Sequence, residues 1–133
     1  MHGNLPASFG VSISNDDAIG AINSAVFDPG CPYQPERKPK NGHYLVLNVS
    51  EETGPANKKS ILNPYGFSWI DPDGVTRSIS PDYYCVPLAE MMPLLGPSAK
   101  GSGKVVLDVT SVGGTLIWKD NVTASGYEWV ITV

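Results

Sequence analysis

The chain has 133 residues, 41% of them hydrophobic and 17% charged, which is enough for one domain with its own core and lies outside the composition of disordered chains. Its 14 glycines and 12 prolines argue against long helices and for short strands joined by turns. Thirteen acidic side chains against nine basic ones leave a formal charge of −4, which speaks against generic binding to nucleic-acid backbone or anionic lipid.

In chain order, residues 1–8 carry no periodic pattern and are expected to be a flexible N-terminal extension of a single domain spanning 1–133. They have neither the basic start nor the apolar run of a secretory leader, but a leader already cleaved would leave the same start, so this is no argument for the cytoplasm. Residues 9–14 read as a short first strand. Residues 19–27 alternate acceptably as a strand, although Ile19, Ile22 and Val26 also fit a helical stripe behind Asn15 and Asp16; the short-strand context favours the strand. Residues 28–42, rich in proline and in charged or amide side chains, read as a long exposed loop.

The firmest signals have period two. Leu45, Leu47 and Val49 share one face of residues 44–50, and Val105, Leu107 and Val109 share one face of 104–110, with Lys104, Asp108 and Thr110 on the other. Leu116 and Trp118 lie together in 115–119, and Tyr127, Trp129, Ile131 and Val133 alternate at the C-terminus. Strands at 66–71 and 75–79 flank Asp71-Pro72-Asp73-Gly74, a turn in which proline presets φ and glycine accepts positive φ. Gly113-Gly114 marks another turn. Eight or nine such strands imply an all-β sandwich with Leu45, Leu47, Val105, Leu107, Trp118 and Trp129 in its core. No apolar run reaches the roughly 20 residues of a membrane-spanning helix; the richest stretch, 86–95, is broken by Pro87, Glu90 and Pro93.

Cys31 and Cys85 lack the paired spacing of metal ligands. They are either two reduced core thiols or a disulfide, and the Pro- and Tyr-rich sequence around each favours the disulfide. That bond closes a loop of roughly 55 residues, worth about 4 kcal/mol in the chain-entropy model, and implies an exported protein.

The segment 98–105 departs from the phosphate-loop pattern at Ser98 and Val105 and runs into a strand, so it reads as a flexible inter-strand loop. Asp71 and Asp73 lack the later ligands of a calcium loop and are explained by turn chemistry. Asp16-Asp17 and Glu51-Glu52 read as solvated surface. No nucleophile elbow occurs, and His43 is the single histidine within the body of the chain, His2 lying at its start. A copper site built on Cys85 with Met91 or Met92 lacks the required histidines. Arg37, Lys38 and Lys40, and Lys58 with Lys59, form small basic patches without the aromatic interleaving of a nucleic-acid footprint. Asn48 and Asn121 stand in glycosylation sequons, for which chance is the simpler explanation. The expectation is no catalytic residue, no cofactor and no metal.

The C-terminal half carries a combination of motifs. Residues 95–104 (Leu-Gly-Pro-Ser-Ala-Lys-Gly-Ser-Gly-Lys), the strand 105–110, the apolar 115–118 and a terminal aromatic strand, preceded by Phe67-Ser-Trp-Ile-Asp-Pro-Asp-Gly74 and the alternating 44–49, resemble the small secreted immunogenic proteins of mycobacteria. These are the MPT/MPB-type antigens, with related actinobacterial exported domains. The resemblance spans roughly 15–133 and is strongest from 66 onward; Cys31 and Cys85 are not part of it. It implies an immunoglobulin-like antiparallel β-sandwich, secreted or held at the cell envelope, with no catalytic residues to carry over.

The expected role is non-catalytic binding or host interaction by a monomer, with a protein or host partner and no nucleic acid. Because the inward faces of a sandwich form its core, the working surface belongs on loops. Tyr33, Arg37 and Lys38 of the loop after Cys31, together with Tyr83, Tyr84, Met91 and Met92, are the candidate interaction surface. The 91–95 segment could alternatively pack under the sandwich edge. Rival readings are a secreted hydrolase with its site at one end of the sandwich, or a structural module of an envelope or phage assembly.

Overall fold

In the computed structural model, which describes residues 4–15, 18–55, 66–119 and 126–132, the alternating segments become strands. They are β1 (Leu5–Pro6), β2 (Ile13–Asn15), β3 (Ala18–Phe27), β4 (His43–Thr53), β5 (Phe67–Ile70), β6 (Thr76–Arg77), β7 (Ser80–Asp82), β8 (Lys100–Val109), β9 (Gly114–Lys119) and β10 (Gly126–Ile131). One sheet has the order β1-β10-β9-β5-β6 and the other β2-β3-β4-β8-β7. Every pairing is antiparallel except β1 with β10. The chain changes sheet four times, between β1 and β2, β4 and β5, β6 and β7, and β8 and β9. This is the connectivity of an immunoglobulin-like sandwich.

The core lies between the sheets. Leu45, Leu47 and Val49 of β4 and Val105, Leu107 and Val109 of β8 meet Trp69, Leu116, Trp118, Trp129 and Ile131 from the opposite sheet. All six expected core residues are among the buried side chains. Trp69, fully buried, donates its indole N–H to Ser111 Oγ (2.9 Å) and meets the Phe27 ring edge-on at 6.1 Å.

Residues 19–27 form the strand β3 and not a helix. At the β5–β6 turn, Asp71 Oδ1 accepts the backbone N–H of Asp73 and of Val75 (3.0 Å each), Oδ2 accepts Arg77 Nε (3.0 Å), and Gly74 adopts φ 84°. These bonds, led by the Val75 amide and followed by the Arg77 guanidinium, hold the Asp71 carboxyl below its ordinary range.

Several boundaries differ from expectation. Within the N-terminal stretch expected to be flexible, Leu5–Pro6 pairs with β10, where an edge position tolerates the missing proline N–H. In 9–14 only Ile13 and Ser14 enter a strand, because the chain first turns at Phe9 and Gly10. The expected strand 75–79 is reduced to Thr76–Arg77, and the next strand, Ser80–Asp82, already belongs to the other sheet. The segment 98–103, expected to be a flexible loop, supplies the first four residues of β8. Its glycines serve a close approach: a Cβ on Gly103 would lie 2.5 Å from the Met92 backbone N, and one on Gly101 would lie 2.8 Å from Leu95 Cδ2. Glu51, expected in solvent, is buried, because it shares the inward parity of Leu47 and Val49 at the end of β4. Asp16, Asp17, His2, Lys58, Lys59, Asn121 and Val133 lie outside the described residues.

Candidate functional site

The outward face of β4 and β8 does not meet solvent along its whole length. Tyr44 and Val46 of β4 and Val106 of β8 point away from the core, and they are buried with Cys31, Cys85 and Val86 in a second apolar cluster, against which Met91 packs. What covers them is the loop 28–42 on one side and the segment 83–91 on the other. The loop expected to be exposed is therefore folded down on the sheet.

Four attachments hold it there. Cys31 and Cys85 form a disulfide with a Cα–Cα distance of 4.4 Å; Cys85 is fully buried and Cys31 nearly so. Arg37 donates from Nε and Nη2 to Asp82 Oδ1 at 2.9 and 2.7 Å. Asp108 accepts the backbone N–H groups of Lys40 (2.7 Å) and Asn41 (2.9 Å), and its carbonyl accepts the Asn41 amide (3.1 Å). At the base, Asp28 takes φ 49°, accepts the Tyr44 N–H at 2.9 Å and pairs with His43 Nδ1 at 2.7 Å. Asp108 thus points outward as its strand parity requires, yet it is buried because the loop sits on it.

Under the loop is a polar pocket of about 410 Å³ whose floor is Tyr44, Asp82 and Asp108 and whose rim includes Arg37, Lys38 and Lys40. The hydrogen bond to Asp82 raises the Arg37 guanidinium above its ordinary value against an opposing effect of burial. Burial, reinforced by the nearby Asp82 carboxylate, raises the Tyr44 phenol, so its hydroxyl stays protonated and available as a donor. Arg37 also lies over the Tyr84 ring, 4.9 Å from its centroid.

Of the residues expected to form the surface, Tyr33, Tyr83 and Tyr84 gather around the disulfide and are 57%, 42% and 54% exposed; the Tyr33 N–H donates to the Cys85 carbonyl at 3.3 Å. Arg37 joins them, and Lys38 lies on the pocket rim. Met91 and Met92 are only partly exposed. Met91 packs into the cluster beneath the disulfide, and Met92 packs against the main core while donating its N–H to the Lys104 carbonyl (3.0 Å). Leu94 of the same segment is left exposed.

Sequence reasoning missed Tyr44, Asp82 and Asp108 as parts of the site. The signal available was Tyr44, Val46 and Val106 at outward positions, apolar where a solvated sheet face calls for polar side chains. His43 and Asp28 form an oriented imidazole–carboxylate pair, but no serine or threonine hydroxyl among the described residues is hydrogen-bonded to that ring. Among the described residues no group of three or more His, Cys, Asp or Glu side chains could hold a metal ion, and no helix is long and apolar enough to cross a membrane.

No protein-family model matches the chain, and no curated protein matches its sequence. Two solved structures share its architecture. A Bacillus subtilis protein described as a lipoprotein, YcdA, superposes with a TM-score of 0.59 at 14% identity over 95% of this chain and 39% of that one. MPT63, a secreted protein of Mycobacterium tuberculosis, superposes with a TM-score of 0.62 at 9% identity over 98% of this chain and 99% of that one, so the resemblance drawn from sequence motifs has its counterpart in the fold.

Proposed function

We propose that this chain is an exported binding module, secreted or held at the cell envelope, that engages a protein or host-surface partner through the clamped loop and does so as a monomer without catalysis. The observation that carries the reading is the tyrosine group at the disulfide. Tyr33 on the clamped loop and Tyr83 and Tyr84 on the segment that the disulfide joins to it remain exposed, and rigid aromatic side chains on a fixed frame bind at low entropic cost. The disulfide supports export, since such bonds persist in oxidising compartments. The secreted and lipoprotein descriptions of the two structural neighbours point the same way.

The test is affinity capture from culture filtrate and host-cell extract with the wild-type protein and with a Tyr33→Ala, Tyr84→Ala variant. Met92 is left intact because it packs against the main core. Species retained by the wild type are expected to fall at least about tenfold with the variant, the loss of one to two aromatic anchors. Equal retention by both proteins overturns the reading.

A further inference from the structure

We infer that the pocket beneath the clamped loop is a subsite for a neutral sugar, the terminal residue of a glycan carried by the partner; this rests on the binding-module reading above. Three polar side chains more than nine-tenths buried, Tyr44, Asp82 and Asp108, converge on a space of about 410 Å³ that is bounded by a fixed loop. A monosaccharide fits such a volume with room for bridging waters.

The charges around the space select the ligand class. Arg37, Lys38 and Lys40 are balanced by Glu36, Asp82 and Asp108, so the lining gives neither a free anion nor a free cation a net attraction. What it offers is a dense mixture of donors and acceptors, which suits a neutral polyhydroxyl ligand. Each Asp108 oxygen accepts one backbone N–H from the loop, which leaves lone pairs for two neighbouring hydroxyls. Lys38 and the Tyr44 hydroxyl supply donors from rim and floor.

The experiment is amide NMR titration of the intact, oxidised protein with a panel of neutral monosaccharides (glucose, galactose, mannose and N-acetylglucosamine), with inorganic phosphate and choline as charged probes. At least one neutral sugar is expected to shift the Lys40, Asn41 and Tyr44 amides with a Kd of roughly 1 mM. Tyr44→Phe, which removes only the hydroxyl, is expected to weaken that Kd about tenfold. Lys38→Ala, at an exposed position, is expected to weaken it several-fold with the fold intact. Silence of the sugar panel up to about 50 mM, far above that Kd, overturns the assignment. So does a response to phosphate or choline alone, or an unchanged Kd in both variants. Partner capture that persists beside a silent panel overturns the sugar and leaves the binding module standing; failure of both overturns the two together.

Discussion

Replacing Cys31 and Cys85 together by alanine tests how the loop and the sandwich are coupled. Alanine is the appropriate substitute, because both positions lie in an apolar cluster where a serine hydroxyl would lack a ready partner. The cysteines are 54 positions apart. Freeing a loop of that length restores about 14 cal/mol/K of entropy to the unfolded chain, which is about 4 kcal/mol at 25 °C. With a urea m-value of about 2 kcal/mol/M for a domain of this size, the unfolding midpoint falls by about 2 M. The slope itself rises, since an unbridged denatured chain exposes more surface. Urea titration of both proteins, followed by the fluorescence of Trp69 and Trp129 in the core, gives both quantities. A midpoint shift below about 0.5 M, equivalent to about 1 kcal/mol at that slope, would refute the reasoning. It would show that Arg37–Asp82 and the Asp108 bonds suffice to fasten the loop and that the unfolded chain gains little by its release.

Three further outcomes follow from single positions. Gly103→Ala places a Cβ against backbone atoms of Met91 and Met92, so the crossing segment must move; a loss of about 1–3 kcal/mol is expected by urea titration, with faster hydrogen exchange at the Met92 amide. Because the Asp71 carboxyl is held below its ordinary value, its stabilisation is complete above the unfolded carboxylate pKa of about 3.9 and is lost as pH falls through the folded value. Asp71→Asn is therefore expected to be less stable at neutral pH and to lose less stability on acidification than the wild type, as read from Tm against pH. His43→Ala addresses the rival hydrolase: a screen of ester, glycoside and peptide substrates is expected to show no activity in the wild type, and any activity abolished by this substitution would displace the binding reading.

Much of the fold was legible because its central strands are long and half of each is committed to one core. In β4 and β8 the inward positions are Leu45, Leu47 and Val49 and Val105, Leu107 and Val109, an alternation that no helix can satisfy. Asp71 to Gly74 named its own turn through side-chain acceptors and a positive φ. The misreadings have local causes. Between β6 and β7 the chain changes sheets, and strands of two and three residues are too short to show a period. The glycines of 98–103 were read as loop because flexibility and close backbone approach leave the same mark on a sequence, and only the position of Met92 separates them.

The site was half legible for a reason of the same kind. Period-two reading sorts side chains into inward and outward but is silent on whether the outward face is covered. Along β4 the outward series runs Tyr44, Val46, Asn48, Ser50 and Glu52, changing from apolar to polar after Val46; along β8 it runs Lys100, Ser102, Lys104, Val106 and Asp108, changing after Lys104. The register pairs Val46 with Val106 and Asn48 with Lys104, so the two changes fall side by side across the sheet. That line is the edge of the covering loop, and the disulfide, Arg37–Asp82 and Asp108 all lie on its covered side. Placing the loop needs a cover for one end of the outward face, and the insertion 28–42 reaches it because it begins at the end of β3 and returns as β4, in strands already paired beside β8. The buried Asp108 follows from the same step: an outward carboxylate under a loop must be met by donors, and the loop's own Lys40 and Asn41 amides meet it.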